Sequence, residues 1–343
     1  MSVCPYAAAL AAEPQMRYRA LPPLNWDSAW QCWVAAAPQW VREALLNADL
    51  GVRPADEPVP TALLETPMAP LFAGLARMRD GEQHHALKAA LQRALAVCSD
   101  ALIQQTAAQC AEWLVPKVPD AAAITRFNYG LPVCTLGALL GVPEAQWQHL
   151  IDDSLDFVRC IAPGGTPQQL AHGIAAAQRL RAQLATGKGV LRQALAREIG
   201  DVRLELANAL GLLFQACEAT AGWIGQAYLL ARQNGEVDTA LDRVRALTPP
   251  IQNTRRFVLR ETQLGGYTLR VGQTVLLLLG ADGELAFGAG AHRCPGERWA
   301  RIIARCGVAH LCSLDIDERA LESVRWRHSY NARVPEFYRE RRR

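Results

Sequence analysis

The segment that most constrains this chain lies near its end, where residues 287–296 have the sequence FGAGAHRCPG. Glycines lie on both sides of Cys294, and a helix-forming run begins directly after Gly296. Glycine permits a left-handed backbone and close approach to a flat ligand. Backbone N–H groups and the start of a helix stabilise a negatively charged sulfur. The segment therefore predicts a loop that holds the Cys294 side chain as a thiolate.

A thiolate held in this way is suited to iron chemistry, because such a sulfur can ligate haem iron axially and donate electron density toward a bound oxygen. A buried structural cysteine is the alternative interpretation. It is the better one for the other members of the chain's ten cysteines, which lie singly in helical or apolar surroundings. For Cys294 the ten-residue pattern favours the iron ligand.

The loop resembles the haem-binding loop of the cytochrome P450 family. Five residues fall on the family's recurring positions: Phe287, Gly290, His292, Cys294 and Gly296. The resemblance implies that haem b, iron protoporphyrin IX, is the cofactor and that Cys294 is its metal ligand. It also implies that the cofactor contacts Phe287, Gly288, His292 and Gly296.

Three further segments resemble the family in the expected order. Residues 78–88 are similar to the start of the C helix, where a His and a base four residues later bind a haem propionate, and His84 and Lys88 take those positions. Residues 249–257 resemble the segment whose Arg binds the other propionate; Arg256 fits best, and Arg255 is the neighbouring alternative. Residues 331–337 resemble the closing strand, so the resemblance spans about 40–337.

Four of these residues form a cationic set suited to two carboxylates, since charge-assisted hydrogen bonds are strong. They are His84, Lys88, Arg256 and His292. The set favours haem as the ligand. It also argues against a zinc site, because the seven histidines show no paired metal-ligand spacing.

Composition and periodicity predict a mainly helical fold with a small β-sheet, one P450-like haem-binding domain over residues 1–343. Helical patterns cover 81–95, 100–114, 131–140, 167–184, 202–232 and 296–311. Short strands are predicted within 253–279, where β-branched residues alternate with glycine turns. Trp26, Trp30 and Trp33 are spaced at i, i+4 and i+7, which predicts one face of a helix packed in the core.

The long helix 202–232 departs from the family pattern. It resembles the I helix above the iron, where an acid and then an alcohol relay protons to iron-bound dioxygen. Glu218 takes the acid position, but Ala219 takes the alcohol position, with Thr220 about 100° further round the helix. The resemblance implies that Glu218 and Thr220 handle protons. A substrate hydroxyl or ordered water is the alternative to Thr220.

A second departure concerns the support beneath the cysteine loop. The family's K helix carries a Glu and, three residues on, an Arg, whereas this chain has Arg243 and Ala246 there. The loop 279–286 is also very short where the family has a longer meander, and 187–201 and 233–239 look shortened. Because a buried charge without its partners is costly, these losses are expected together. We predict that different packing replaces the charged support.

Net charge, hydropathy and cysteine usage limit the kinds of partner that the chain is expected to bind. The net charge is only +3 and the basic residues are scattered, which disfavours nucleic acid; the C-terminal arginines, Arg339 and 341–343, are expected to be a solvated end. No apolar stretch reaches membrane-spanning length, since the densest, 274–279, is strand-sized. Single cysteines and no leader sequence predict a cytoplasmic protein without a membrane partner.

The expected function is that of a P450-like oxidoreductase, a monooxygenase acting on a small organic molecule in specialised metabolism. A ferredoxin-type electron donor is an expected partner, and Arg293, Arg298 and Arg301 are candidates for its docking face, with a solvated face as the alternative. Two other functions stay open. One is a haem-thiolate catalyst that uses peroxide or nitrogen oxides or performs a redox-neutral rearrangement, and the other is a non-catalytic P450-like binding protein, which the intact cysteine loop disfavours.

Overall fold

The structure is a computed structural model that describes residues 14–115, 118–161, 166–317, 321, 323–327 and 329–338. The C-terminal arginines lie outside the described residues. The helices are α1 (Pro14–Arg19), α2 (Pro38–Leu46), α3 (Met68–Gly74), α4 (Gly81–Ala96), α5 (Asp100–Leu114), α6 (Ala121–Leu140), α7 (Trp147–Ile161), α8 (Pro167–Thr186), α9 (Val190–Ile199), α10 (Val202–Asn234), α11 (Val237–Leu247) and α12 (Glu297–Ser313). Within the described ranges, no helix is both long and apolar enough to cross a bilayer.

The strands are β1 (Leu24–Asp27), β2 (Cys32–Ala35), β3 (Leu50–Gly51), β4 (Thr254–Val258), β5 (Thr262–Leu264), β6 (Tyr267–Leu269), β7 (Thr274–Leu277), β8 (Ser323–Trp326) and β9 (Pro335–Tyr338). A five-stranded sheet has the order β1-β2-β7-β4-β3, and β2 pairs with β7 in parallel. The hairpins β5-β6 and β8-β9 are separate. The fold is thus mainly helical with small sheets, as predicted, although the main sheet also takes strands from the N-terminal part of the chain.

Helix α10 is the central element of the helical core. It begins where the Asp201 side chain accepts hydrogen bonds from the N–H groups of Arg203 and Leu204, and it ends at Gly235 in the left-handed conformation. Side chains on most of its faces are buried, and it packs against α6, α11 and α12. The predicted helix 202–232 is confirmed with two more residues at its end. A helix buried so extensively positions every residue along its length rigidly.

The prediction that Trp26, Trp30 and Trp33 share a helix face is wrong. Trp26 lies in β1 directly opposite Trp33 in β2, and their rings meet edge to face at 5.7 Å. Trp30 lies in the turn, where the Asp27 carboxylate accepts hydrogen bonds from two backbone N–H groups at 3.0 and 3.1 Å. Gln31 completes the turn with φ 49°. In a short hairpin, two residues seven positions apart can face each other across the strands, and the same spacing also places residues on one helix face. The hydrogen bonds of the Asp27 side chain favour the turn, and therefore the hairpin.

Direct packing supports the cysteine loop where the charged support is missing. Arg243 is exposed, so no buried charge remains at that position of α11. A Cβ added to Gly283 would lie 2.4 Å from Ala246 Cα, so the short loop presses its backbone onto the end of α11. Arg301 of α12 forms an ion pair with Asp242 of α11 at 2.6 Å. Backbone contact and a surface ion pair therefore connect the elements that flank the loop, in line with the predicted replacement.

Candidate functional site

The cysteine loop follows a short 3-10 turn and leads directly into α12. Its glycines are needed for conformation and for space: Gly288 and Gly290 have φ of +72° and +66°, and a Cβ on Gly290 would lie 2.9 Å from Leu46 Cδ2 on α2. The Cys294 backbone N–H donates to the Phe287 carbonyl at 2.9 Å. These contacts close the loop on itself and hold it against α2.

The Cys294 side chain differs from the six buried thiols among the described residues. The Cys294 side chain is exposed, although protein atoms surround it closely. Burial raises the pKa of the Cys294 thiol, while the Gly296 N–H and the charges of Lys88 and Arg77 act in the opposite direction. By contrast, Cys217 on α10 is 0% exposed, and burial raises its pKa to about 12. Cys294 is therefore accessible to a ligand, and coordination to a metal ion would remove its proton.

Two of the predicted cationic residues meet the loop from α4. His84 is 2% exposed, and its Nε2 lies 3.0 Å from the Ala291 carbonyl oxygen. Its Nδ1 lies 2.8 Å from another carbonyl oxygen, that of Ala76. Lys88 Nζ donates to the carbonyls of Ala291 and Arg293, the latter at 2.6 Å. The predicted His84–Lys88 pair thus converges on one oxygen atom, that of the Ala291 carbonyl.

His292 joins this group from the loop, and Asp80 is a partner that sequence reasoning missed. The His292 ring stacks on the His84 ring with centroids 3.9 Å apart, and its Nε2 lies 3.0 Å from Asp80 Oδ1. Burial would raise the pKa of Asp80, but hydrogen bonds from His292 and the Val52 N–H, with the charge of Arg256, hold it below its usual value. The one sequence signal for Asp80 was its position immediately before α4.

Strand alternation places the two neighbouring arginines on opposite faces of β4. Arg256 of β4 is 5% exposed and points into the molecule, whereas Arg255 is exposed. Burial lowers the pKa of Arg256, and the charge of Asp80 opposes that change. Arg256 therefore belongs electrostatically to the group formed by His84, His292 and Asp80.

The predicted proton-handling residues lie on different faces of α10. Glu218 Oε1 forms an ion pair with Arg327 Nη2 at 3.1 Å, a partner beyond β8 that sequence reasoning did not find. Burial raises the pKa of Glu218, and the charge of Arg327 opposes it. Thr220 is 1% exposed and lies in the packed interior, whereas Ala219 stays partly exposed. The structure therefore does not bring the Thr220 hydroxyl to the face on which Ala219 lies.

That face of α10 leads to the cysteine loop. Trp223 lies one turn after Ala219 and therefore on the same side of the helix. Its ring packs against Phe287, the first residue of the loop, with centroids 5.6 Å apart. The site is thus enclosed by α10 on one side and by the loop and α4 on the other.

Comparison with known proteins agrees with this geometry. No family model matches the sequence. A plant-inducible cytochrome, P450-pinF1 of Rhizobium radiobacter, is 23% identical over 280 residues, 68% of this chain and 66% of the relative. The chain therefore spans slightly less than two thirds of that curated relative.

Solved structures resemble the chain over nearly its whole length. P450BioI in complex with hexadec-9Z-enoic acid ligated acyl carrier protein has a TM-score of 0.77 at 19% identity, covering 94% of this chain and 96% of that chain. The chain therefore has the cytochrome P450 fold. The P450 RauA, complexed with a biosynthetic intermediate of aurachin RE, gives 0.74 at 16% identity and covers 94% of each chain. CYP109E1 from Bacillus megaterium, in complex with corticosterone, gives 0.71 at 18% identity over 94% and 95%.

The residues of this P450 fold fit a haem. An accessible sulfur stands on a glycine-cradled loop, and the Ala291 carbonyl already accepts from both His84 and Lys88. A carboxylate oxygen would satisfy the same donors better, because it is charged. Buried Arg256 adds a third cation. A soft sulfur for iron and separate cations for carboxylates match the chemistry of an iron porphyrin with two propionates.

The basic face predicted for an electron donor is largely neutralised. An open pocket of about 520 Å³ adjoins Cys294 between α4 and α12, bordered by Lys88, Gln92, Gly290, Arg293, Cys294, Pro295, Glu297 and Arg298. Arg293 pairs with Glu297 at 2.7 Å, Arg298 with Asp100 at 3.1 Å and Arg301 with Asp242 at 2.6 Å. The three arginines on this face of the P450 fold thus carry little uncompensated charge.

Proposed function

We propose that this protein is a haem-thiolate oxidoreductase that oxidises a small organic molecule. The observation that carries the proposal is the accessible Cys294 on a loop that also places His292 against His84 of α4. The curated relative and the structural relatives P450BioI and P450 RauA are named as cytochromes P450, which supports the same function. One of them is complexed with a biosynthetic intermediate, which supports a role in specialised metabolism.

In this proposal Cys294 binds the iron of haem b, while His84, Lys88, Arg256 and His292 hold its propionates. Asp80 orients His292 through the hydrogen bond at 3.0 Å. Haem bound through a thiolate supplies the power to activate an oxidant and insert oxygen into an organic substrate. Phe287, Gly288 and Gly296 shape the loop around the cofactor, and Trp223 closes it against α10.

Glu218 is the proposed acid for proton transfer. It lies on α10 within reach of Arg327, and burial favours its neutral form while Arg327 favours the carboxylate. Because burial raises the pKa of Glu218, this carboxyl group holds a proton more readily than an exposed carboxyl group does, as a proton donor requires. Thr220 is buried away from Ala219, so a substrate hydroxyl or ordered water is the better proposed relay.

A second candidate function is favoured by one specific observation, the absence of a hydroxyl at Ala219 together with the burial of Thr220. A catalyst that takes its oxidant as peroxide or a nitrogen oxide, or that performs a redox-neutral rearrangement, does not need that relay. The neutralised face around Arg293 agrees with a protein that does not rely on a strongly acidic ferredoxin.

The absorption spectrum of the reduced, carbon monoxide-bound protein tests the main proposal. We expect a red-shifted Soret band for the wild type and its loss in Cys294→His. The control Cys306→Ser should keep the band, because Cys306 lies on α12 and outside the loop. A histidine-like spectrum of the wild-type protein, or purification without haem, would contradict the proposal.

Turnover assays separate the two candidates. A ferredoxin, its reductase, NAD(P)H and dioxygen should support faster product formation than hydrogen peroxide does if the protein is a monooxygenase. Faster turnover with peroxide, unchanged in Glu218→Gln, would favour the second candidate. Product analysis of candidate metabolites then identifies the substrate.

A further inference from the structure

Arg77 is a basic residue that the proposed function leaves without a role. It lies in the short turn Ala76–Met78 between α3 and α4. Its guanidinium carbon lies 6.0 Å from the centre of the Phe214 ring on α10. Among the described residues no carboxylate forms an ion pair with it, and Glu218 and Asp80 already pair with Arg327 and His292.

The turn that carries Arg77 is held in place from two sides. The Asn208 side chain on α10 accepts a hydrogen bond from the Ala76 N–H at 3.0 Å and donates to the Gly74 carbonyl at 2.9 Å. The Ala76 carbonyl faces His84 Nδ1 at 2.8 Å. Asn208 is itself 4% exposed, so this is a rigid, buried anchor. It fixes the backbone next to Arg77, and with it the direction in which the side chain leaves the turn.

The space beside Arg77 is open although it lies next to a buried helix. Residues 205–211 and 220–228 of α10 are buried throughout, yet Gln215 between them is exposed, and Ala216 and Ala219 are partly exposed. Gln215 directly follows Phe214, the residue that Arg77 contacts. The Arg77 side chain is itself exposed, although protein atoms lie close enough for burial to lower its pKa. We interpret the open space that Arg77 and Gln215 border as a pocket beside α10.

Phe214 also shows which side of the site this pocket occupies. Its ring meets Phe157 of α7 edge to face at 5.1 Å. Arg77 therefore stands on the side of α10 and α7, whereas His84, Lys88 and His292 gather around the Ala291 and Arg293 carbonyls on the side of α4 and the loop. The charge of Arg77 reaches Arg256 and Cys294, so it faces the site from across the pocket.

We propose that Arg77 binds a carboxylate of the substrate, so that the protein acts on organic acids. A partly desolvated cation without a carboxylate partner in the protein is costly, and a carboxylate that enters the pocket relieves that cost through charge-assisted hydrogen bonds. The planar guanidinium suits a carboxylate, and Phe214 beside it suits the apolar part of such a molecule. The inference rests on the proposed function, since it assigns the substrate class of the same site. A haem propionate has the same chemistry, and the experiment distinguishes the two carboxylates.

The test is isothermal titration calorimetry of the purified holoprotein with two matched pairs of probes. One pair is octanoate and octanamide, and the other is 4-phenylbutyrate and 4-phenylbutanamide. We expect the wild type to bind the carboxylate of at least one pair at least about 10-fold more tightly than its amide. Arg77→Gln should abolish this preference, and Arg77→Lys should retain part of it. Arg93→Gln is the control, because Arg93 pairs with Glu198 on the surface and should leave the preference unchanged.

Haem retention is measured on the same variants by transfer of haem to apomyoglobin. We expect Arg77→Gln to release haem at the wild-type rate. Equal binding of acid and amide by the wild type, or a preference that survives in Arg77→Gln, would overturn the inference. So would faster haem release with an unchanged preference, which would assign Arg77 to a haem propionate. A carbon monoxide spectrum without the red-shifted band overturns the proposed function separately, since the calorimetry reports binding of the probes and not ligation of the iron.

Discussion

Charged side chains at the site form ion pairs with residues that are distant in sequence. Glu218 pairs with Arg327, and His292 with Asp80. Arg256 is enclosed, although its neighbour Arg255 is exposed on the other face of the same strand. Single substitutions at these positions should therefore have effects that neighbouring residues of the same type do not share.

Arg256→Leu should weaken haem binding, because it removes a buried cation facing the carboxylates of the cofactor. The matched control is Arg255→Leu on the outer face of β4, which should bind haem like the wild type. The rate of haem transfer to apomyoglobin measures the difference, and we expect Arg256→Leu to release haem at least about 10-fold faster. Equal rates in the two variants would remove Arg256 from the cofactor site.

Arg327→Gln should destabilise the fold by about 3 kcal/mol near pH 8, because it leaves the Glu218 carboxylate unpaired in partly buried surroundings. Burial already raises the pKa of Glu218, and loss of Arg327 raises it further. A raised carboxyl pKa means that the folded state holds an extra proton, so stability falls as pH rises from the ordinary value through the folded value. The loss of unfolding free energy in Arg327→Gln should therefore be smaller near pH 5 than near pH 8.

Chemical denaturation at the two pH values measures this deficit. Arg42→Gln is the control, since its ion pair with Glu284 has side chains 46% and 79% exposed and should contribute less than about 1 kcal/mol. A deficit for Arg327→Gln that does not change with pH would show that Glu218 is not the group whose charge Arg327 balances.

At the scale of elements, two structures place the site. Helix α10 is long and largely buried, and it fixes the positions of Glu218, Ala219 and Trp223 along its axis. The main sheet carries Arg256 on β4, and its far edge is the hairpin formed by β1 and β2. That hairpin depends on its turn, where Gln31 has a left-handed backbone that residues with a Cβ adopt at a cost.

Gln31→Val should lower the melting temperature, because a β-branched residue is poorly tolerated at φ 49°. Gln31→Gly should not do so, since glycine adopts this conformation freely, and we expect the two variants to differ by about 1–2 kcal/mol. Gln263→Val in β5 is the control, because an exposed strand position favours a β-branched side chain. Equal melting temperatures for Gln31→Val and Gln31→Gly would show that the turn conformation is not as described.

At the scale of the whole molecule, the proposed cofactor site brings together residues from elements that are distant in sequence. His84 and Lys88 come from α4, Arg256 from the sheet, and Cys294 from the loop before α12. A ligand that binds all of them stabilises the folded state, since the unfolded chain does not hold these groups together. The haem should therefore contribute to stability as well as to chemistry.

Removal of haem by acid and butanone extraction should lower the melting temperature of the protein, and reconstitution should restore it. Differential scanning calorimetry of the extracted and reconstituted forms measures the change. Cys294→Ala should gain less from added haem than the wild type, because it lacks the iron ligand. An unchanged melting temperature after extraction would contradict a site that joins helices and sheet.

The sequence by itself determined the features that depend on local chemistry. The loop around Cys294, the helices 81–95, 100–114 and 202–232, and the strand 267–269 follow from glycine placement, apolar periodicity and turn residues. The cationic positions His84, Lys88 and His292 could be named because the loop and α4 resemble known patterns. The tryptophan hairpin was predicted incorrectly, since spacing alone does not separate a helix face from a short hairpin.

Only the tertiary structure decided which groups meet. It paired Glu218 with Arg327 and His292 with Asp80, buried Arg256 while exposing Arg255, and separated Thr220 from the face of Ala219. It also anchored the turn of Arg77 through Asn208. Such partners lie many residues apart, and their approach depends on how helices and strands pack, which short-range periodicity does not encode.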